Sequence, residues 1–245
     1  MQKAAPIEAG TLVLPGDRIP IPTDQQLSQT SESVVVGPGL KYLRGEENCL
    51  VATHAGLLRH SPPHGYWLDI HSKRYIPIAD DRVIGVVTQK HAEAWKLDIG
   101  AADLANLHYT AFENVTKRNK PTFREGTAVY GRLQTAIKDM ELELSCMEAN
   151  GRSRGLGVLP DGGILFQVPV DVARKILSPS CPMIKLLGKD IRFEITCGLN
   201  GYVWVKAGSI KETLAVVNAV CDSRYLANQD MKDHVAVCID KLKGV

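Results

Sequence analysis

Between Thr11 and Pro77 apolar residues come only in short runs, Val34-Val35-Val36, Cys49-Leu50-Val51 and Tyr66-Trp67-Leu68. Turn signals separate them: Pro15-Gly16, Gly37-Pro38-Gly39 and Ser61-Pro62-Pro63-His64-Gly65. Runs this short, punctuated by glycine and proline, predict a small module of β-hairpins. The stretch from Thr23 to Ser31 is polar and aperiodic and reads as a loop within that module, not as a domain boundary.

From Asp81 to Met147 the period becomes two. Trp95, Leu97 and Ile99 alternate with Lys96 and Asp98; Leu107, Tyr109 and Ala111 alternate with His108 and Thr110; Leu142, Leu144 and Cys146 alternate with Glu141, Glu143 and Ser145. Each set places its apolar side chains on one face of a strand. Val83 to Thr88 and Thr127 to Leu133 complete five strands with no helix between them, which suits a small closed barrel: an OB-fold, with an SH3-like barrel as the alternative.

After Cys146 the texture changes again. Gly151, Gly155, Gly157, Gly162 and Gly163 precede the apolar run Ile164-Leu165-Phe166, a pattern that opens a new domain. Val170 to Leu177 predicts a helix ended by Pro179, Pro182 to Leu187 a second, and Ile191 to Thr196 a strand. Ile210, Leu214, Val217 and Val220-Cys221 lie at helical spacing behind a capping Ser209, and Val235, Ile239 and Leu242 repeat that spacing. The predicted architecture is multi-domain, β plus α/β: an N-terminal β-hairpin module (1–78), a five-stranded OB-type barrel (79–148) and a mixed α/β domain (149–245).

Length, composition and charge exclude more than they assign. The 245 residues suit two or three modest cores, and 44% hydrophobic with 23% charged residues is ordinary globular usage. With 29 basic against 27 acidic residues the net charge is +2, so a nucleic-acid surface would have to be a local patch. The six cysteines have no C-x-x-C spacing, which speaks for reduced thiols rather than a zinc ribbon or a disulfide framework. The N-terminus lacks an apolar leader core and no apolar run could span a bilayer, so a soluble intracellular chain is expected.

Signatures of catalysis are missing. There is no P-loop, no G-x-S-x-G and no H-E-x-x-H, and after Gly155-Leu156-Gly157 the third glycine of a dinucleotide fingerprint is replaced by Pro160. His54, His60, His64 and His71 are close in sequence, but Pro62 and Pro63 forbid a shared helical face, so no metal site is expected. Asp80-Asp81 and Glu141/Glu143 read as a strand end and an exposed strand face rather than as catalytic carboxylates. No catalytic residue, metal or cofactor is expected.

The most specific run is Cys197-Gly198-Leu199-Asn200-Gly201-Tyr202-Val203-Trp204-Val205-Lys206. Asn-Gly between two alternating apolar runs predicts a type I′ hairpin with positive φ at both central residues. Together with Val36-Gly37-Pro38-Gly39-Leu40, Val83-Ile84-Gly85-Val86-Val87, Thr116-Lys117-Arg118-Asn119-Lys120-Pro121 and Lys138-Asp139-Met140-Glu141, it resembles the RNA exosome cap subunits that join an S1-type OB-fold to a KH-like domain and carry a Gly-x-Asn-Gly signature. The closest likeness is to the ribosomal RNA-processing protein 40 class, from about Leu12 to Cys221 and in order.

The resemblance implies a non-catalytic subunit that sits on a ring of RNase PH-like proteins beside other cap subunits and guides single-stranded RNA to processing and decay performed elsewhere. It implies residence in the nucleus, nucleolus and cytoplasm, without a membrane. The alternatives are a free-standing OB/KH RNA-binding protein of ribosome maturation or translation, and a ribonuclease subunit with its own activity.

The candidates for RNA or ring contact are Lys117, Arg118 and Lys120 in a barrel loop, then Lys90, His91, Lys96, His108 and Tyr109, as cations and planar groups suited to phosphates and bases. Trp95 is in phase with Leu97 and Ile99 and is expected in the core. KH domains clamp the nucleic-acid backbone with a GXXG loop; the corresponding connector here, Ser178 to Met183, has no glycine. Gly198, Asn200, Gly201 and Trp204 are therefore read as structural, packing against the barrel.

Overall fold

A computed structural model describes residues 10–20, 34–43, 49–62, 65–70, 74–115, 119, 121–137, 140–179, 181–226 and 229–243. The chain divides into two compact units, Met1–His71 and Ser72–Val245.

The first unit is built from short strands: β1 (Leu12–Val13), β2 (Arg18–Pro20), β3 (Val35–Val36), β4 (Leu40–Tyr42), β5 (Cys49–Ala52), β6 (Gly56–Ser61) and β7 (Gly65–Asp69). They form two sheets, β1-β6-β7-β3 and β2-β5-β4. Val13, Ile19, Leu50, Leu58 and Leu68, each at most 2% exposed, fill the core between their inward faces. Gly39, at φ +85°, makes the turn from β3 to β4, where a Cβ would stand 2.8 Å from Leu68 Cβ. The predicted loop from Thr23 to Ser31 lies outside the described residues.

The second unit opens with the barrel: β8 (Arg82–Lys90), β9 (Ala94–Asp98), β10 (Ala105–His108), β11 (Ala128–Thr135) and β12 (Leu142–Ser145), with β13 (Gly157–Val158) added beside β11. The order β12-β10-β9-β8-β11 closes through β11–β12, and β10 runs parallel to β12. A parallel pairing of third and fifth strands is the OB arrangement, which sets the SH3-like alternative aside. The alternating apolar positions all point inward: Val83, Leu97, Ile99, Leu107, Val129 and Leu133 have no exposed surface. Trp95 is in the core, packed against Phe112 and Phe123 at ring separations of 6.3 and 4.7 Å. The third strand ends at His108 and passes into a short 3₁₀ turn, Tyr109–Ala111, rather than extending to Ala111.

A β-α-α-β-β-α unit follows: β14 (Ile164–Gln167), α1 (Val170–Leu177), α2 (Met183–Asp190), β15 (Phe193–Cys197), β16 (Tyr202–Ala207) and α3 (Ile210–Asp222), then α4 (Met231–Lys243). The sheet order is β14-β16-β15. Ser209 caps α3 in a reciprocal box with Glu212, which satisfies two orphan N–H groups. Val172, Met183, Leu187, Val205, Val216 and Val220 join sheet and helices in one core.

The barrel and this α/β unit are locked together by the hairpin between β15 and β16. Its loop has three residues: the Gly198 N–H donates to Tyr202 O (2.9 Å) and the Gly201 N–H to Gly198 O (3.1 Å). Gly201 takes φ +86° but Asn200 is not among the positive-φ residues, so the type I′ expectation is corrected to a three-residue loop closed by a left-handed glycine. The reason is the Asn200 side chain, 1% exposed, which is inserted into the barrel wall. Its Nδ2 donates to Ile84 O (2.7 Å) and Ile99 O (2.8 Å), and its Oδ1 accepts from Ile84 N (3.3 Å). Leu199 N adds a bond to Arg82 O (2.9 Å). Next to it Trp204, Ile84 and Leu159 make a small apolar cluster. Gly163 is required there, since a Cβ would fall 2.3 Å from the Trp204 ring.

Two outcomes follow for stability. Asn200→Ala orphans an N–H and two carbonyls in a dry site, each costing about 1–3 kcal/mol, so scanning calorimetry should find Tm lowered by about 6–12 °C for a loss near 3 kcal/mol. Asn200→Asp should be no better, because a carboxylate cannot donate to Ile84 O and Ile99 O; Gly201→Val, whose Cβ would meet Val168 O at 2.3 Å, should also destabilise.

The thiols give an independent check of burial. All six cysteines are free, and desolvation pushes the Cys146 and Cys197 thiols up to about 12. A disulfide reagent at pH 8 should therefore label exposed Cys221 first and reach Cys146 and Cys197 only on unfolding; rapid native labelling of either would contradict this core.

Candidate nucleic-acid interface

The outward positions of β9 and β10 carry the side chains that single-strand recognition needs, because their inward neighbours are consumed by the barrel core. Strand register aligns them across the wall: Gln89 pairs with Lys96, Lys96 with Asn106, Asn106 with Glu143 and Glu143 with Thr135. One polar row thus runs around the outside of the barrel. Beside it lies a groove of about 520 Å³, lined by His91, Ala94, Asn106, His108, Glu143 and Met147 among others.

His108 is exposed and ends β10. Its Nδ1 accepts from Thr110 N (3.4 Å) and lies 2.7 Å from Thr110 Oγ1. With Nδ1 engaged as an acceptor, Nε2 is the ring's donor. The imidazole also lies against the Tyr109 ring, centroids 4.5 Å apart, which holds its plane.

Charge divides the face. His91 and Lys96 stand on the β8/β9 side, Lys96 half-buried with its carbonyl accepting from Thr88 Oγ1 (3.0 Å). Glu141 and Glu143 stand on the β12 side, Glu141 accepting from the Asn106 amide and Glu143 from Thr135 Oγ1 (3.1 Å). A phosphate is attracted to the first flank and repelled by the second, so a strand crossing here is oriented by charge. The groove itself offers amide, hydroxyl and imidazole groups to bases or ribose, without a strict code.

Of the residues proposed from sequence, His91 and His108 line the groove and Lys96 stands in the polar row beside it, whereas Lys90 is the register partner of inward-facing Trp95 and lies exposed at the end of β8. Tyr109 does not join them: it is 7% exposed within the barrel core, in phase with Leu107, and presents no face to a base. Lys117, Arg118 and Lys120 lie outside the described residues, as do Lys138 and Asp139; Asn119 is exposed. His60 stacks on Tyr66 at 4.5 Å in the first unit, while His64 and His71 lie outside the described residues. Asn106, Thr110 and Gln134 were missed, although strand parity alone places Asn106 outward between Ala105 and Leu107.

The described end of the connector between α1 and α2 packs into the core at Cys181. Cys181 N bonds to Ser178 O (3.0 Å), and Cys181 and Met183 are 6% and 1% exposed. A loop anchored by its own side chains in the core is not a projecting backbone clamp. Among the described residues no helix is long and apolar enough to cross a membrane, and no group of three His, Cys, Asp or Glu side chains could hold a metal ion.

Comparison with known proteins adds the lineage. Residues 11–71 match the N-terminal family of mammalian exosome complex component RRP40, residues 75–157 the S1 domain of exosome complex component RRP40, and residues 163–211 the KH domain. The chain is 36% identical to human exosome complex component RRP40 over 94% of its own length and 90% of the relative's. It is 40% identical to the Drosophila melanogaster protein of the same name, over 86% and 88% of the two chains. A crystal structure assigned to an exosome complex RNA-binding protein superposes with a TM-score of 0.56 over 67% of this chain and 97% of that one; at 16% identity it supports the fold alone. The N-terminal β module, the closed barrel and the KH-like unit occur in the order of that family's domains, and the chain belongs to the exosome complex component RRP40 family.

Proposed function

We propose that this chain is a non-catalytic cap subunit of an RNA exosome, which holds a ring of RNase PH-like subunits together with other cap subunits and guides single-stranded RNA toward 3′-to-5′ processing and degradation by other components. The observation that carries the reading is the division of labour within the second unit. The glycine-bearing hairpin that could have met nucleic acid is instead built into the barrel wall, and the open polar face is left to β9 and β10. Relatives that carry the exosome component name over most of their length support the assembly. The sequence carries no P-loop, no G-x-S-x-G and no H-E-x-x-H, which supports a subunit without chemistry of its own. No cofactor enters the reading, and the chain works in nucleus, nucleolus and cytoplasm as its assembly does.

Affinity purification of the tagged full chain from its source cells should recover RNase PH-like subunits in stoichiometric amounts. Recovery of RNA without such proteins would replace this reading with a free-standing OB/KH protein. The purified chain should leave labelled single-stranded RNA intact; degradation abolished by a single substitution would establish an enzyme instead. For the basic loop, Lys117→Ala with Arg118→Ala should weaken RNA crosslinking or ring association by about tenfold while leaving Tm unchanged; if neither falls, the loop is merely solvated.

A further inference from the structure

Around the barrel from the groove, two arginines face each other. Arg82 on β8 and Arg132 on β11 are direct register partners, an arrangement in which like charges repel. Carboxylates hold them in place: Arg132 Nη1 meets Asp80 Oδ1 at 3.0 Å and Arg82 Nη2 meets Glu148 Oε1 at 2.7 Å. The other oxygen of Glu148 takes Arg154 Nη1 at 3.2 Å. Three guanidinium groups therefore share two carboxylates, and the cluster keeps one positive charge in excess. Arg132 Nε is buried without a hydrogen-bond partner among the described residues, although its side chain is 22% exposed.

Arg82 and Arg132 line an open pocket of about 600 Å³ with Asp80, Glu148, Ala149 and Asn150, and Arg154 is tied to it through Glu148. Its base is held in the fold: Arg82 O is tied to Leu199 N of the locking hairpin, and β8 pairs with β11 from Arg82 to Val86. Arg132 and Arg154 each commit one nitrogen to a carboxylate, and Arg82 bonds Glu148 and the Tyr130 side chain; a planar fork of five donors leaves further N–H groups for an anion.

Along the chain the two sites are neighbours: Met147 lines the groove and Glu148 the pocket. A strand leaving the groove past Met147 meets the arginines next. Among the described residues the lining has a single apolar side chain, Ala149, and Tyr130 meets the cluster through its hydroxyl bond with Arg82, whereas protein-binding hot spots centre on buried aromatic or apolar anchors. We propose that Arg82, Arg132 and Arg154 form a second phosphate site, which holds the backbone of single-stranded RNA as it leaves the β9/β10 groove. The site reads charge and spacing but no base, as a guide for RNA of any sequence requires. The inference rests on the RNA-guiding function proposed above and assigns that function a second contact point.

The test is binding of a fluorescent oligouridylate to the full chain over a series of salt concentrations. Arg82→Gln with Arg132→Gln should raise Kd by about tenfold and reduce the slope of log K against log salt by about 0.7 for each phosphate no longer neutralised. Arg132→Lys keeps the charge and loses the fork, so it should keep the slope and weaken binding by a few fold. Arg154→Gln, at a side chain 62% exposed, should lower affinity and slope without changing Tm, and it serves if the double variant misfolds. Unchanged affinity and slope in the arginine variants overturns the site, as does a wild-type chain that fails to bind the oligomer at low salt. If the variants lose polyglutamate and keep RNA, the pocket docks an acidic protein and the proposal is wrong. Weakening by Lys96→Ala alone would remove the pocket and leave the groove; failure to recover ring subunits, read separately, would remove the functional reading itself.

Discussion

One carboxamide decides how the second unit is put together. Asn200 sits between the backbone of β8 and the residue that follows β9, and it is the side chain suited to the position because it must donate twice to carbonyls and accept once from an N–H. The glycines around it are there for space. A Cβ at 198 would lie 2.8 Å from Ile84 N, and one at 201 would strike Val168 O. Every letter of Gly-Leu-Asn-Gly except the leucine thus has a steric or hydrogen-bonding reason, and the leucine contributes its backbone N–H to Arg82. The barrel and the KH-like unit consequently behave as one body, sealed by the Ile84, Leu159 and Trp204 cluster.

That use of the hairpin has a functional counterpart. A KH domain ordinarily meets nucleic acid through a glycine loop between two helices. Here the connector is glycine-free and anchored by Cys181 and Met183, and the glycines of the following hairpin are occupied internally. On the barrel wall Lys96, Asn106 and His108 face outward because Trp95, Leu97 and Leu107 face inward. The same alternation that builds the core sorts the surface.

This is also why much of the molecule was legible in the sequence. The alternation of Trp95, Leu97 and Ile99 named both the core and, by parity, the exposed Lys96. Tyr109 shows the limit: its aromatic character suggested a stacking surface, while its phase with Leu107 put it in the core, and phase prevailed because burying the ring outweighs leaving it in water. The Asn-Gly pair announced a turn, but turn propensity alone could not reveal that the asparagine side chain reaches back to Ile84, 116 positions away, and so takes a different backbone geometry. The arginine cluster was invisible for a related reason. Arg82 and Arg132 are 50 positions apart, and only strand register makes them neighbours.

The sequence distance spanned by Asn200 bears on synthesis as well as on architecture. Ile84 N, Ile84 O and Ile99 O are polar groups within the barrel wall, and the side chain that satisfies them is made roughly a hundred residues later. At about 5–20 residues per second, a nascent barrel waits on the order of 5–20 seconds for this closing strap, with those groups hydrated and Ile84 lacking its Trp204 cover. A ribosome stalled before codon 200 would therefore display a barrel with one open flank, which the finished protein covers.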